Sequence, residues 1–163
     1  MNIAKGLKKI SDGLDKICLV LIVLMLGAMV AVTTAQIICR SFFTALQWSE
    51  EMNRYLLVWS TFIGASCVYK AGTHISITFL QGFFSPKVQR VIRVFVHVLC
   101  IIVFSAIVVF GFEYAVKQVQ MAPSLHIPMK YMYMSIPIGF GFMIVHALNE
   151  IVTILQTKGG KLQ

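Results

Sequence analysis

From Ile17 to Cys39 the chain runs for 23 residues without a charged side chain. At about 1.5 Å of rise per helical residue, such a run crosses a hydrocarbon core roughly 30 Å thick. In lipid it has one stable form, because a helix satisfies its own N–H and C=O groups where no water can. The pattern then repeats. Uncharged stretches at Tyr55–Tyr69, Val94–Phe112 and Tyr131–Asn149 predict, with their flanks, spans over about 17–39, 50–69, 88–112 and 131–154. The second is short, so it crosses only if Glu50, Glu51 and Arg54 lie at its interfacial end. Pro137 should kink the fourth, leaving a carbonyl for neighbouring helices to satisfy. With 58 % of 163 residues hydrophobic and 12 % charged, little is left over for a folded soluble module. The expected fold class is an all-α integral membrane protein: one membrane domain, residues 1–163, with four transmembrane helices.

An even number of spans puts both termini on one side, and the basic residues choose the side. Lys5, Lys8, Lys9 and Lys16 precede the first span, Lys70, Lys87, Arg90 and Arg93 lie between the second and third, and Lys158 and Lys161 follow the fourth. Against these ten stand four on the other side: Arg40, Arg54, Lys117 and Lys130. The expected topology is N-in, C-in. The uncharged run after Lys16 is too long for the core of a cleavable signal, so the first span is expected to stay in place.

Two further stretches have the spacing of helices that lie in the interface. Ile3, Leu7, Ile10, Leu14 and Ile17 recur at four-then-three spacing, with Lys5, Lys8, Lys9, Asp12 and Lys16 on other faces, which predicts an interfacial helix over 2–16. Ile75, Phe79 and Phe83, with Leu80 and Phe84 beside them, predict an amphipathic arm over 71–84. Ser85 and Pro86 then break it, with Ser85 as N-cap and Pro86 at the first position of the third span. Both arms imply contact with membrane lipid, whether as simple anchors or as partner-binding surfaces.

Several function classes fall away. The net charge of +8 is spread between apolar runs, with none of the clustered basic and aromatic residues that nucleic acid requires. Cys18, Cys39, Cys67 and Cys100 are single and far apart, which suits buried, inert thiols and writes no zinc or redox motif. No acid, Lys or Arg falls near the middle of a span, where an autonomous ion carrier or a proton-coupled exporter needs one. No catalytic residues, metal or cofactor are expected.

Two histidines do lie inside spans, His97 in the third and His146 in the fourth, at matching depths in antiparallel helices. Such a pair can ligate haem iron, so a cytochrome-b-like anchor subunit is an alternative. The other reading is a polar cluster between helices, built from Arg93, His97, His146, Asn149 and Glu150, in which an Arg93–Glu150 ion pair locks the third span to the fourth. At the opposite end, Trp48-Ser49-Glu50-Glu51-Met52-Asn53-Arg54-Tyr55 reads as the start of the second helix. Ser49 caps it, Glu50 and Glu51 meet the positive end of the helix dipole, and Glu50 and Arg54 are spaced to pair. Close packing is expected at Gly27, Ala31 and Ala35 in the first span and at Ser60 and Gly64 in the second.

On this segment the chain resembles the small membrane subunit, the DctQ-like component, of tripartite ATP-independent periplasmic (TRAP) transporters. Gln36 and Arg40, then Trp48, Glu50, Glu51 and Arg54, then Trp59, Gly64 and Ala65, and finally His74 fall in that family's order, and the resemblance covers nearly the whole chain. It implies a three-protein uptake system in the bacterial inner membrane. A periplasmic substrate-binding protein captures an organic acid, and a large sodium-driven subunit of elevator type moves it. The small subunit braces the large one and helps to dock the binding protein. The resemblance leans toward the sialic acid branch, with dicarboxylates the other common cargo. Arg40, Trp48, Glu50, Glu51, Arg54, Trp59 and His74 become candidate interface residues. Two outward loops, Phe42–Ser49 and Glu113–Lys130, add Lys117 and Lys130 as candidate contacts for an acidic patch on the binding protein. The second loop should be stiffened by Pro123 and Pro128.

Overall fold

A computed structural model describes residues 2–42, 44–80 and 86–156, and side chains within 6–42, 44–72 and 88–156. Its regular elements are helices: α1 Asn2–Phe42, α2 Trp48–Leu80, α3 Pro86–Lys117, the single turn α4 Lys130–Tyr133, and α5 Ser135–Gln156. Three of the described segments are long and apolar enough to cross a membrane: Gly6–Phe42, Val88–Lys117 and Lys130–Gln156. The second helix is not among them. Glu50, Glu51 and Arg54 crowd one end, Lys70 sits near the other, and hydroxyl or indole side chains at Tyr55, Trp59, Ser60, Thr61, Ser66 and Tyr69 dilute what lies between.

Where the spacing predicts a separate interfacial helix over 2–16, α1 passes through Lys16 and Ile17 as one helix of 41 residues. At about 1.5 Å per residue it is near 60 Å long, twice a hydrocarbon core. Likewise α2 continues without a break through 71 to Leu80. The rest of the expected arm, the Ser85 cap and His74's side chain lie outside the described residues. Pro86 does open α3, where its missing N–H costs nothing.

Pro137 acts three residues upstream of its own position. Its ring cannot bond to Tyr133, and the helix is interrupted at Met134, between α4 and α5. Beside the interruption Ser135 donates its hydroxyl to the Met132 carbonyl at 2.7 Å.

The centre of the fold is the packing of α5 against α2 on one side and α3 on the other, with α1 laid on α2 and touching α5. The tightest approach is at Gly139. A Cβ there would stand 2.7 Å from the Phe62 carbonyl oxygen, so the two backbones touch, as small residues in membrane helices permit. A Cβ at Gly64, one of the sites expected to pack closely, would meet only the tip of Ile22 at 3.8 Å, and one at Gly27 would meet nothing from another helix within 4 Å. Around Gly139 the rings of Phe62 and Phe140 have centroids 6.1 Å apart, Phe140 and Phe104 5.4 Å, and Phe104 and Tyr69 5.4 Å. These rings run from α2 through α5 to α3 and back to α2. By contrast, only 6 % of the apolar stretch of α1, and of α3, is covered by the rest of the chain, against 39 % for the α4–α5 segment. The flanks of the molecule are therefore apolar and open, and its middle is closed.

Candidate functional site

The polar side chains gather at the two ends of this frame. At the end carrying Trp48, α2 begins one residue before the expected cap. Ser49 is already in the first turn, fully buried, and donates back to the Leu46 carbonyl at 2.6 Å. Glu50 and Glu51 do fall in the first turn, where the exposed N–H groups favour negative charge. The two carboxylates diverge from there. Glu51 turns toward the α3–α4 connection and accepts from the backbone N–H of Ser124 at 3.0 and 3.2 Å and of Leu125 at 2.8 Å. Glu50 and Arg54 are both exposed, and among the described residues they form no ion pair. The spacing allows the pair, but water solvates both groups well enough that holding them together gains little.

One and two turns further along the same face of α2, Tyr55 donates its hydroxyl to the Ile127 carbonyl at 3.3 Å and Trp59 its indole N–H to the Tyr131 carbonyl at 3.1 Å. Glu51, Tyr55 and Trp59 thus form an i, i+4, i+8 stripe whose three polar tips hold the backbone of 124–131. The segment they hold is folded on itself. Ala122 donates to Ile127 at 3.0 Å, His126 to Ala122 at 2.9 Å and Met129 to Gln120 at 2.9 Å. An antiparallel bridge joins Met121 to Pro128, and His126 sits at φ 54°. The stiffness expected from two prolines therefore rests on a small hairpin clamped to α2.

The other candidate residues at this end stay on the surface. Trp48 is 39 % exposed and Arg40 is exposed. Lys117 pairs with Glu113 along α3, and the Lys130 ammonium lies 5.3 Å from the centre of the Tyr131 ring. Asn53 was not singled out by sequence, yet its amide donates to the Thr33 hydroxyl at 3.0 Å and ties α2 to α1.

At the opposite end, Arg93, His97, His146, Asn149 and Glu150 are all buried, between 1 and 8 % exposed. Gln89, Arg93 and His97 occupy one face of α3 at i, i+4, i+8, and His146, Asn149 and Glu150 lie on α5, which packs against it. The hydrogen bonds made at this level run to residues other than the five named together. His146 Nδ1 shares a 2.8 Å hydrogen bond with the Ser11 hydroxyl of α1, and His97 Nδ1 a 2.9 Å bond with the Tyr69 hydroxyl of α2. Each imidazole thus joins its own helix to a different neighbour. Among the described residues Arg93 and Glu150 make no ion pair. The guanidinium donates through Nε to the Gln89 carbonyl at 3.4 Å, and its Nη1 has no acceptor.

Lys70 completes this end. Its ammonium donates to Asp12 at 2.8 Å, to the Ser11 carbonyl at 3.3 Å and to Asp15 at 3.4 Å. The hydrogen bond from Lys70 holds the Asp12 carboxyl below the ordinary carboxylate range. Ser11, Asp12 and Asp15 on α1 are thereby fixed to α2 and α5 at one level. Between α1 and α2 an open groove of about 580 Å³ is lined by Leu19, Ile22, Gly64 and Val68, with Asp15 and Lys70 at its end.

The chain is thus a helical membrane protein in which buried polar groups join helices at both ends of an apolar frame. Residues 29–157 match the family described as tripartite ATP-independent periplasmic transporters, DctQ component, and the chain belongs to that family. It is 27 % identical to the sialic acid TRAP transporter small permease protein SiaQ of Vibrio cholerae, over 93 % of this chain and 87 % of that protein. It is also 24 % identical to the isethionate TRAP transporter permease protein DctMQ of Oleidesulfovibrio alaskensis, over 71 % of this chain but 19 % of that much longer protein. The chain is therefore a small permease subunit of a TRAP transporter, a membrane component that associates with the large subunit. Membership of a transporter family replaces the haem-carrying alternative for His97 and His146.

Proposed function

We propose that this chain is the stationary brace of its transporter. It holds the large elevator-type subunit in the inner membrane while substrate moves through that subunit, and it helps to dock the periplasmic binding protein. The observation that carries the reading is the cross-helix bonding at both ends. Ser11, Lys70, Tyr69, His97 and His146 join four helices at one end, and Glu51, Tyr55 and Trp59 seat the hairpin at the other. A frame tied in this way resists shear, which is what a fixed element opposite a moving one requires. The open apolar flanks of α1 and α3 and the groove beside Gly64 supply lateral surface for lipid and for the large subunit.

In this reading α2 is the fourth span, seated with Glu50, Glu51 and Arg54 at the periplasmic interface. Both termini lie in the cytoplasm, as the ten-to-four division of basic residues requires. The cargo is an organic acid carried with sodium. The similarity to a sialic acid system over nearly the whole chain favours sialic acid.

Proteoliposomes test the brace directly. With a sodium gradient and loaded binding protein, uptake of sialic acid is expected when the large subunit is reconstituted together with this chain, and not when it is reconstituted alone. Equal uptake without this chain would refute the reading. For docking, Lys117→Glu with Lys130→Glu is expected to raise the binding-protein concentration needed for half-maximal uptake, leaving the membrane complex intact. An unchanged concentration would refute docking at this end.

A further inference from the structure

The α3–α4 hairpin presents its edge to solvent, with Val119 88 % and Met121 61 % exposed, yet its backbone is held from below by a residue of another helix. Two successive amides, Ser124 and Leu125, point at the same Glu51 carboxylate, just before a residue of positive φ at His126. Consecutive N–H groups beside a left-handed residue form a concavity that binds anions. Here the anion is the chain's own. The left-handed conformation costs a non-glycine residue about 1 kcal/mol or more, so the turn needs support from outside itself, and the charge-assisted bonds from α2 supply it.

We infer that Glu51 is a positioning residue for docking of the binding protein. By filling the hairpin's anion-binding turn it fixes the Val119–Met121 edge relative to α2, and so controls a contact that its own carboxylate does not make. The inference rests on the proposed docking role of this end of the molecule. Glu50, its neighbour in sequence, is exposed and makes no such bond, so the two carboxylates divide into one that holds the loop and one that faces solvent.

The test uses the complete transporter, comparing Glu51→Gln, Glu51→Asp and Lys117→Glu with Lys130→Glu, each co-purified with the large subunit to confirm folding. Glu51→Gln preserves shape but removes the charge and turns one acceptor into a donor facing an N–H. It is expected to speed amide exchange at Ser124 and Leu125 by tenfold or more, and to raise the half-saturating concentration of binding protein roughly tenfold, about the effect of one lost charge-assisted hydrogen bond. The maximal uptake rate should not change, whereas a general loss of structure would lower it. Glu51→Asp retains the charge and should recover most of the docking. No recovery would overturn the assignment to the carboxylate, and unaltered exchange at both amides in Glu51→Gln would overturn the clamp. If Glu51→Gln docks normally while the lysine double variant docks poorly, the inference fails and the docking role stands. If both dock normally, the docking role fails and takes the inference with it.

Discussion

Gly139→Ala should separate the two central helices, and the size of the effect follows from the geometry. The added Cβ would lie 2.7 Å from the Phe62 carbonyl oxygen, 2.8 Å from Phe62 Cβ and 2.9 Å from its carbonyl carbon. These distances fall short of an ordinary 3.4 Å contact by 0.5–0.7 Å, and because two of the three atoms are backbone, no rotamer change relieves them. The helices must part instead. Overpacking of this kind costs about 1–3 kcal/mol. Parting α2 from α5 also strains the 3.1 Å bond from Trp59 to Tyr131 in the adjoining turn α4, worth about 1 kcal/mol, while replacing a helical glycine by alanine returns up to about 1 kcal/mol. The net expectation is a loss of about 1–3 kcal/mol. Gly141→Ala is the matched control, because no atom of another helix lies within 4 Å of its Cβ position, and it should be neutral or slightly stabilising. Unfolding in mixed micelles by titration with SDS can be followed through tryptophan fluorescence, since Trp59 lies one turn before Phe62 on α2 and Trp48 is the second tryptophan. If the two alanine variants unfold at the same SDS fraction, the backbone contact between α2 and α5 is not what holds the frame.

Two further outcomes follow from the opposite end. Ser11→Ala leaves the buried Nδ1 of His146 without its partner and should cost about 1–2 kcal/mol in the same titration. In a His146→Ala background the substitution should cost almost nothing, and equal costs in both backgrounds would show that the bond contributes no coupling. Lys70→Met should weaken the hold on the start of α1 by no more than about 1 kcal/mol, because the Asp12 side chain is half exposed and solvent screens the pair. It should also remove an acid sensitivity. The Asp12 carboxyl lies below its ordinary value in the folded chain, so its contribution is present above the unfolded value near 4 and is lost as pH falls through the lower folded one. A native chain and a Lys70→Met chain with parallel midpoints from pH 6 to 3 would contradict this.

What a sequence yields for such a protein is depth rather than direction. Charge-free runs locate α1, α3 and α5, and they place Arg93, His97, His146 and Glu150 at one level because position along a helix follows from residue count. Which neighbour each side chain turns to depends on how four helices are rotated and arranged, and short-range spacing carries none of that. The same limit explains both pairings that failed. Glu50 and Arg54 are i, i+4 and could meet, but nothing in the spacing shows that water suffices for both. Arg93 and Glu150 share a depth, yet the bonds at that depth run to Gln89, Tyr69 and Ser11, the last 135 positions from its histidine. The contact at Gly139 is hidden in the sequence for a related reason. Gly139 stands two residues from Gly141, and only the facing helix reveals which of the two is in contact. The clamp at Glu51 was half visible, since the carboxylate was legible as the start of a helix. That its partners are the amides of Ser124 and Leu125 required the hairpin to be seen.

The open flanks have a consequence for how such a chain changes over time. A surface that meets fluid hydrocarbon is indifferent to side-chain shape, so wherever α1 and α3 face lipid and not the large subunit, Leu, Ile, Val and Phe are interchangeable, provided no charge enters. Constraint is confined to a few positions: a glycine against a backbone, a carboxylate beneath a turn, two histidines against two hydroxyls. A protein built this way can differ from a relative at about three positions in four, as this one does over the residues it shares with the Vibrio cholerae subunit, and still close the same frame.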